Sequence, residues 1–269
     1  MRAKSQRSTN EQRQLTTQIE IIQGNCLEVM HKLALERGAF VDLMFCDPPY
    51  FLSNGGVTCQ NGRMAKVHKG DWDRSQGYEK NLEFNISWLK ACEKLLKPDA
   101  SMMVSGTFHS IYSIGFAMQS LGMKLLNNIT WQKPNPPPNL SCRYFTHSTE
   151  TIIWAAKDLN AKHKFNYDLM RELNGGKQMK DVWLMTSPGK NEKECGKHPT
   201  QKPLQLIDRL ILAATDPNEV VLDPFNGSGT TGVSCINNGR SYIGIELDPA
   251  YVSLTKKRFI AANKLLKKK

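Results

Sequence analysis

No two of the seven cysteines stand in a CxxC pair, and their number is odd. Cys26, Cys46, Cys59, Cys92, Cys142, Cys195 and Cys235 are therefore expected to be reduced thiols, several of them in the core. Neither a zinc site nor a disulfide framework is expected, and no other metal, which suits a cytoplasmic protein. Long apolar runs are also missing: none approaches the ~20 residues of a membrane span. None follows the basic N-terminus as a secretory signal would. Negative charge is in short supply, with 25 Asp and Glu against 36 Lys and Arg, a net of +11. That surplus suits a polyanionic partner, although a solvated basic surface would show the same count. Part of it sits at the ends, where residues 1–18 are expected to be a flexible tail and 263–269 a basic one.

What is present is a chain of 269 residues, 40% hydrophobic, enough for one α/β domain with an inserted module. There is no internal repeat, and the one biased stretch is Pro134–Asn139, a stiff extended loop. Strands are expected at Ile19–Gln23, Val41–Cys46, Met102–Val104, Ile129–Gln132, Thr151–Ala155, Val220–Leu222 and Tyr242–Ile245. Helices are expected near Leu27–Arg37, through Phe84, Trp88 and Cys92, at His109–Leu121, through Ile207–Ala214, at Thr230–Asn238, and after Asp248-Pro249. The alternation predicts a doubly wound, mostly parallel sheet, with 129–155 adding an antiparallel edge. Residues 156–196 are polar and irregular, and read as a small insert outside the sheet. They divide a first half, 19–155, from a second, 197–262.

The second half carries Asp223-Pro224-Phe225-Asn226-Gly227-Ser228-Gly229-Thr230-Thr231 directly after a strand. Gly227 and Gly229 permit a tight turn and close backbone approach, and the next helix aims its N-terminus at the same point. Glu246 follows the next strand, 23 residues after Asp223, the interval at which an acid grips ribose hydroxyls. This order indicates a nucleoside-type ligand. Thr230 and Thr231, standing before Gly232, are read as a departure from the dinucleotide pattern and favour a ligand without phosphate. S-adenosylmethionine fits, with a carboxylate for the helix N-terminus and an ammonium for Asp223. Phe225 is either a core aromatic or a wall against that ligand.

In the first half, the apolar strand Val41–Cys46 runs into Asp47-Pro48-Pro49-Tyr50. The prolines stiffen a turn at the carboxyl edge of the sheet, where open α/β sheets bind ligands. An exocyclic base amine is a poor nucleophile. The Asp47 carboxylate and the Pro48 carbonyl can each take one N–H and aim the lone pair, so catalysis is positioning and electrostatics. Tyr50 offers a face for an extruded base. Taken alone, this tetrapeptide is equally a proline-stiffened turn.

Together, DPPY and DPFNGSGTT resemble the motif pair of bacterial DNA amino-methyltransferases, in the order of the circularly permuted β-group. The resemblance covers about residues 19–260. The stretch from Asn127, NNITWQKPNPPPNLSCRYFTHSTETIIWA, is most similar to the second methyltransferase of DpnII-type restriction–modification systems. That resemblance implies a class I methyltransferase fold, S-adenosylmethionine as cofactor, and adenine N6 in GATC as target, with activity on single strands. It also implies cofactor contacts at His198, Thr200, Gln201 and Lys202 of HPTQKP. Where the family has Gly-Asp for the cofactor's adenine amine, this chain has Gly24-Asn25, whose amide carbonyl still accepts that bond. Methylation of cytosine N4, or an inactive nucleic-acid-binding relative, are the alternatives. Covalent attack on cytosine C5 is not expected, because its thiolate follows a proline and no cysteine here does.

DNA is the expected partner, with a homodimer left open. A base must leave the duplex to reach such a pocket. The segment 51–72, with Arg63, Lys66 and Lys69, is expected to close over it. Lys133, Arg143 and Tyr144 flank the proline loop as phosphate or base contacts. In the insert, Lys177, Gln178, Lys180 and Trp183 offer donors and a stacking face for sequence readout.

Overall fold

The computed structural model describes residues 17–53, 57–60, 63–66 and 70–267. Strand β1 (Ile19–Gln23) leads through Asn25, whose side chain accepts the Leu27 N–H, into helix α1 (Cys26–Arg37). Then come β2 (Val41–Cys46), a hairpin of β3 (Val57–Gln60) and β4 (Arg63–Lys66), α2 (Tyr78–Leu95), β5 (Leu96–Gly106) and α3 (Ile111–Ser120). The chain continues through β6 (Lys124–Gln132), β7 (Thr149–Ala156), α4 (Tyr167–Leu173), β8 (Val182–Leu184) and α5 (Leu204–Ala214). It ends with β9 (Val220–Asp223), α6 (Thr230–Asn238), β10 (Ser241–Glu246) and α7 (Pro249–Leu266). Asp248 caps α7 by accepting the Ala250 N–H at 2.8 Å, with Pro249 in the first turn.

Among the described residues the main sheet has eight strands, in the order β1-β10-β9-β2-β5-β7-β6-β8. β7 alone runs antiparallel to its neighbours β5 and β6, while every other pairing is parallel. From Leu43 to Cys46 the side chains of β2 alternate between two cores because successive side chains face opposite sides of a sheet, and the register shift between Val41 and Leu43 puts Val41 on the face of Met44. Val41, Met44 and Cys46 pack with α1, α2 and α3, whereas Leu43 and Phe45 pack with α5, α6 and α7. Both faces are thus covered, as a parallel sheet requires.

Three expectations are corrected. The 129–155 pair is not an edge, because β8, from the segment read as lying outside the sheet, pairs with β6 and closes that side. β5 begins at Leu96 instead of Met102. Its irregular start, where Val41 pairs with Leu96 and Leu43 already with Ser101, accommodates Pro98 in a strand. Within 51–72, β3 and β4 form paired strands.

Candidate active site

Chain order along the sheet reverses between β9 and β2, which pair through Leu43–Val221 and Met44–Leu222. This is the switch point at which open α/β sheets take ligands. It places Asp223, at the end of β9, beside the turn Asp47–Tyr50 that follows β2. A cavity of about 680 Å³ opens there. Asp47, Asp223, Glu246 and Asp248 line it, with Lys202 as the single lysine or arginine among the described residues. A chain of net positive charge therefore carries an acidic pocket, which favours a cationic ligand and disfavours a phosphate. The glycines Gly227, Gly229 and Gly232 keep the GxGxxG spacing, which corrects the reading of Thr230 and Thr231 as a departure from the dinucleotide pattern. Charge decides the point instead.

Gly227 (φ +52°) lines the cavity, and a Cβ there would lie 3.2 Å from the His198 ring. Gly229 does not line it: its left-handed φ of +73° starts α6, and a Cβ would meet Thr255 at 2.7 Å. Gly232 lets α6 close on Phe259 and Tyr242. The loop is pinned by Arg258 of α7, a buried residue that sequence reasoning missed, which donates to Ser228 O, Ser228 Oγ and Thr230 Oγ1. Asp223 accepts the Thr231 hydroxyl at 2.7 Å and the Phe225 N–H at 3.0 Å. Burial nevertheless pushes its carboxyl up to about 7. Glu246 takes the N–H groups of Gly227 and Asp248 at 2.7 and 2.9 Å, and burial raises it too. Pro224 and Phe225 also line the cavity, and Phe225 meets both readings by packing edge-on against Trp88 behind.

His198, Thr200 and Gln201 form the opposite wall. His198 lies between Trp72, stacked at 6.4 Å, and Tyr251 at 4.3 Å. Thr200 N–H points to His198 Nδ1 at 3.3 Å. Gln201 donates to Glu192 O, but its buried Oε1 has no partner in the structure, an acceptor awaiting a donor. Asn25 lines the cavity as expected, yet its carbonyl is already taken by Leu27 N–H at 2.9 Å, which leaves one lone pair and the NH₂ group.

The catalytic side is a buried charge network. The Tyr50 hydroxyl donates to Asp47 Oδ1 at 2.6 Å and lies 2.8 Å from Ser105 Oγ. Lys202 Nζ donates to Asp47 Oδ2 at 2.6 Å and sits 3.4 Å from Glu150 Oε2. Lys133 holds the other Glu150 oxygen. Burial lowers the Lys202 ammonium, but Asp47 and Glu150 outweigh it and hold its pKa above the ordinary value. Burial raises Glu150, but Lys202 and Lys133 prevail and hold it below. Glu150 reaches this edge because β7 runs backwards, so that its first residues lie where the other strands end. An isolated acid heading an apolar run was its only signal in the sequence.

Lys202 lines the cavity as expected and in addition aims its charge at Asp47 and Glu150. Two placements differ from expectation. Lys133 is committed to Glu150 and to the Trp131 ring, 4.6 Å away. Tyr50 is 9% exposed, with Lys202 5.2 Å from its ring centre, so it presents no open stacking face. Pro49 lines the main cavity, and Pro48 lies with Tyr50 at a smaller one beside it. Behind the turn, buried Asp73 accepts the N–H groups of Tyr50, Phe51 and Leu52 at 2.9, 2.8 and 3.1 Å. It holds Phe51 at a φ of +59°, and nothing in the sequence marked it. Burial pushes the Cys46 thiol far up, so it offers no thiolate.

The family model described as DNA methylase, of the N6/N4 type, matches residues 41–257, most of the chain. The chain belongs to the N6/N4 DNA methylases. Among its relatives is the Type II methyltransferase M2.DpnII of Streptococcus pneumoniae, 54% identical over 83% of this chain and 84% of that one. Another is M2.MboI of Moraxella bovis, 47% identical over 92% and 89%. The structure of an M1.HpyAVI–SAM complex matches with a TM-score of 0.70 at 30% identity, covering 90% of this chain and 98% of that one.

On this methylase Arg143, Tyr144, Lys177, Gln178 and Lys180 are exposed. Trp183 is buried in the core with Arg209 4.8 Å from its ring, which corrects its reading as a stacking face. Arg63 and Lys66 fall on β4, but their side chains, like all of Lys69, lie outside the described residues. Among the described residues no cluster could hold a metal ion, and no helix is long and apolar enough to cross a membrane.

Proposed function

We propose that this methylase transfers a methyl group from S-adenosylmethionine to N6 of adenine, in GATC and on single strands as well as duplexes, within a restriction–modification system. The observation that carries it is the meeting, at the switch point, of an acidic nucleoside-sized cavity with the Asp47 network. S-adenosylmethionine supplies a methyl group on a cationic sulfonium. Asp223, Gln201 Oε1, Asn25, Glu246 and the Gly227 turn are the groups that would hold it, and an acidic wall with one orphaned acceptor suits that cation. Gly229, Thr230 and Thr231 shape the turn, with His198, Thr200, Pro224 and Phe225 as walls.

On the other side, Asp47 and the Pro48 carbonyl accept hydrogen bonds from the two amine N–H groups, which draws the nitrogen lone pair out of the ring; one of those protons leaves the nitrogen as the methyl group is taken up. Lys202 and Tyr50 fix the Asp47 carboxylate by one bond to each oxygen, so the acceptor is already oriented when the base arrives. Residues 156–196, through Lys177 and Lys180, are the proposed target-recognition element, with Arg143 and the β3–β4 hairpin as further proposed DNA contacts. The test is methyl transfer to single- and double-stranded oligonucleotides with and without GATC, digested to nucleosides. N6-methyladenine confined to GATC is expected. N4-methylcytosine, or no product, overturns the proposal.

A further inference from the structure

Beside the catalytic network four aromatic rings stand in a row on the surface. Phe108 lies three residues beyond Ser105, and His147 three residues ahead of Glu150. Ser105 and Glu150 both contact the Tyr50 hydroxyl, so the row hangs from the active site by two short tethers. At ~3.6 Å per residue each tether spans at most about 11 Å. The ring centres of Tyr144 and His147 are 5.2 Å apart, those of His147 and Phe108 4.5 Å, and those of Phe108 and His109 3.7 Å, with planes inclined by only 28–35°. Phe108 is 47% exposed and Tyr144 60%. Burial and the nearby His147 hold His109 below the ordinary histidine value, so it shows an uncharged ring at neutral pH.

Large apolar rings left in water side by side mark a contact surface. Two observations name the occupant. The row is tethered within about 11 Å of the Ser105 and Glu150 groups that touch the Tyr50 hydroxyl, and exposed Arg143 adjoins it in a chain of net charge +11. A base drawn out of its stack leaves its neighbours with uncovered faces. Exposed aromatic rings next to a cation cover such faces whatever the base.

We infer that the row Tyr144–His147–Phe108–His109 is a stacking platform for unpaired bases flanking the target in the DNA strand being methylated. The inference rests on the DNA reading above. The probe is a single-stranded oligonucleotide carrying GATC, with 2-aminopurine at the position immediately outside the site. Phe108→Ala and Tyr144→Ala are each expected to raise its Kd by roughly five- to a hundredfold. They should also raise KM for DNA while leaving kcat at saturating DNA and S-adenosylmethionine affinity at wild-type values. Wild type should quench the 2-aminopurine and Phe108→Ala should not. Phe108→Trp should restore binding, whereas Phe108→Leu, apolar but without a ring, should not. The loss should be the same at low and high salt, while Arg143→Ala should instead flatten the salt dependence by about 0.7 in slope. Unchanged Kd in folded Phe108 and Tyr144 variants overturns the platform, as does full binding by Phe108→Leu. An altered oligomeric state at unchanged DNA affinity would assign the rings to a protein partner and overturn it equally. Wild type that methylates no DNA would defeat the underlying reading itself, a result distinct from a methylating enzyme indifferent to these rings.

Discussion

Replacing Lys202 by methionine keeps an unbranched apolar stem and removes the ammonium, with its charge and its hydrogen bonds. In the native site that ammonium lies 2.6 Å from Asp47 and 3.4 Å from Glu150. The two acceptor oxygens are therefore at most about 6 Å apart. At an effective dielectric of 20 the bare pair repels by about 3 kcal/mol, within the roughly 3–5 kcal/mol that breaking a buried ion pair costs. At roughly 2–4 °C per kcal/mol, Lys202→Met should melt about 6–20 °C below wild type at pH 8. The pH dependence separates this cause from a packing defect. In wild type, Glu150 is held below the ordinary carboxylate value, so its stabilisation is present above that value and is lost as pH falls through the lowered one. Without Lys202, burial is opposed by Lys133 alone, and Glu150 moves up from its lowered value. Protonation then relieves the repulsion, and the gap to wild type should narrow as pH falls from 8 to 5. Methyl transfer should fall about a hundredfold, the scale of losing one preorganised group. Thermal melting across pH, with rates from labelled cofactor, measures both. A gap that stays constant with pH, or a variant with wild-type rate, would refute the reasoning.

Asp47→Ala should still bind S-adenosylmethionine and DNA but lose about a hundredfold or more in transfer, with Asp47→Asn in between because it keeps one carbonyl acceptor; full activity in the alanine variant would remove Asp47 from the mechanism. Asp223, pushed up to about 7, must be ionised to hold an ammonium, so cofactor affinity should rise from pH 6 to 8 with release of a proton; calorimetry in buffers of different ionisation enthalpy reads that proton. Gly227→Val needs an unfavourable φ and meets His198 at 3.2 Å, so it should abolish cofactor binding in a folded protein, and unchanged affinity would displace the pocket. Asp73→Ala orphans up to three backbone N–H groups at on the order of 1–3 kcal/mol each, and should cut kcat while sparing cofactor affinity.

Motifs that act through their own backbone were legible in the sequence. The turn after β9, the acid ending β10, the DPPY turn after β2 and the Asp248 cap all declare themselves by local spacing. What was not legible depends on strands that meet only in the fold. Glu150 joins the site because β7 is reversed, and no local pattern distinguishes a reversed strand. Arg258 and Asp73 act on turns distant in the sequence. Lys202 sat in a recognised segment, yet its role changed because its charge met Asp47, 155 residues away in the chain. β8 was missed because three residues are too few to establish a period.

The position of β1 has a consequence for synthesis. This apolar strand emerges early, yet its sheet partner is β10, whose Tyr242 faces Ile19. At 5–20 residues per second the ribosome takes roughly 10–45 s to span that interval. Throughout it Ile19–Gln23 is an edge without a mate, open to pairing with other chains. Joining the two ends and reopening the chain in the loop before α5 would place β10 and β1 on either side of α7 alone. Such a rearranged gene should yield the same native sheet with fewer long loops to close, and therefore faster refolding and less aggregate at the same chain concentration.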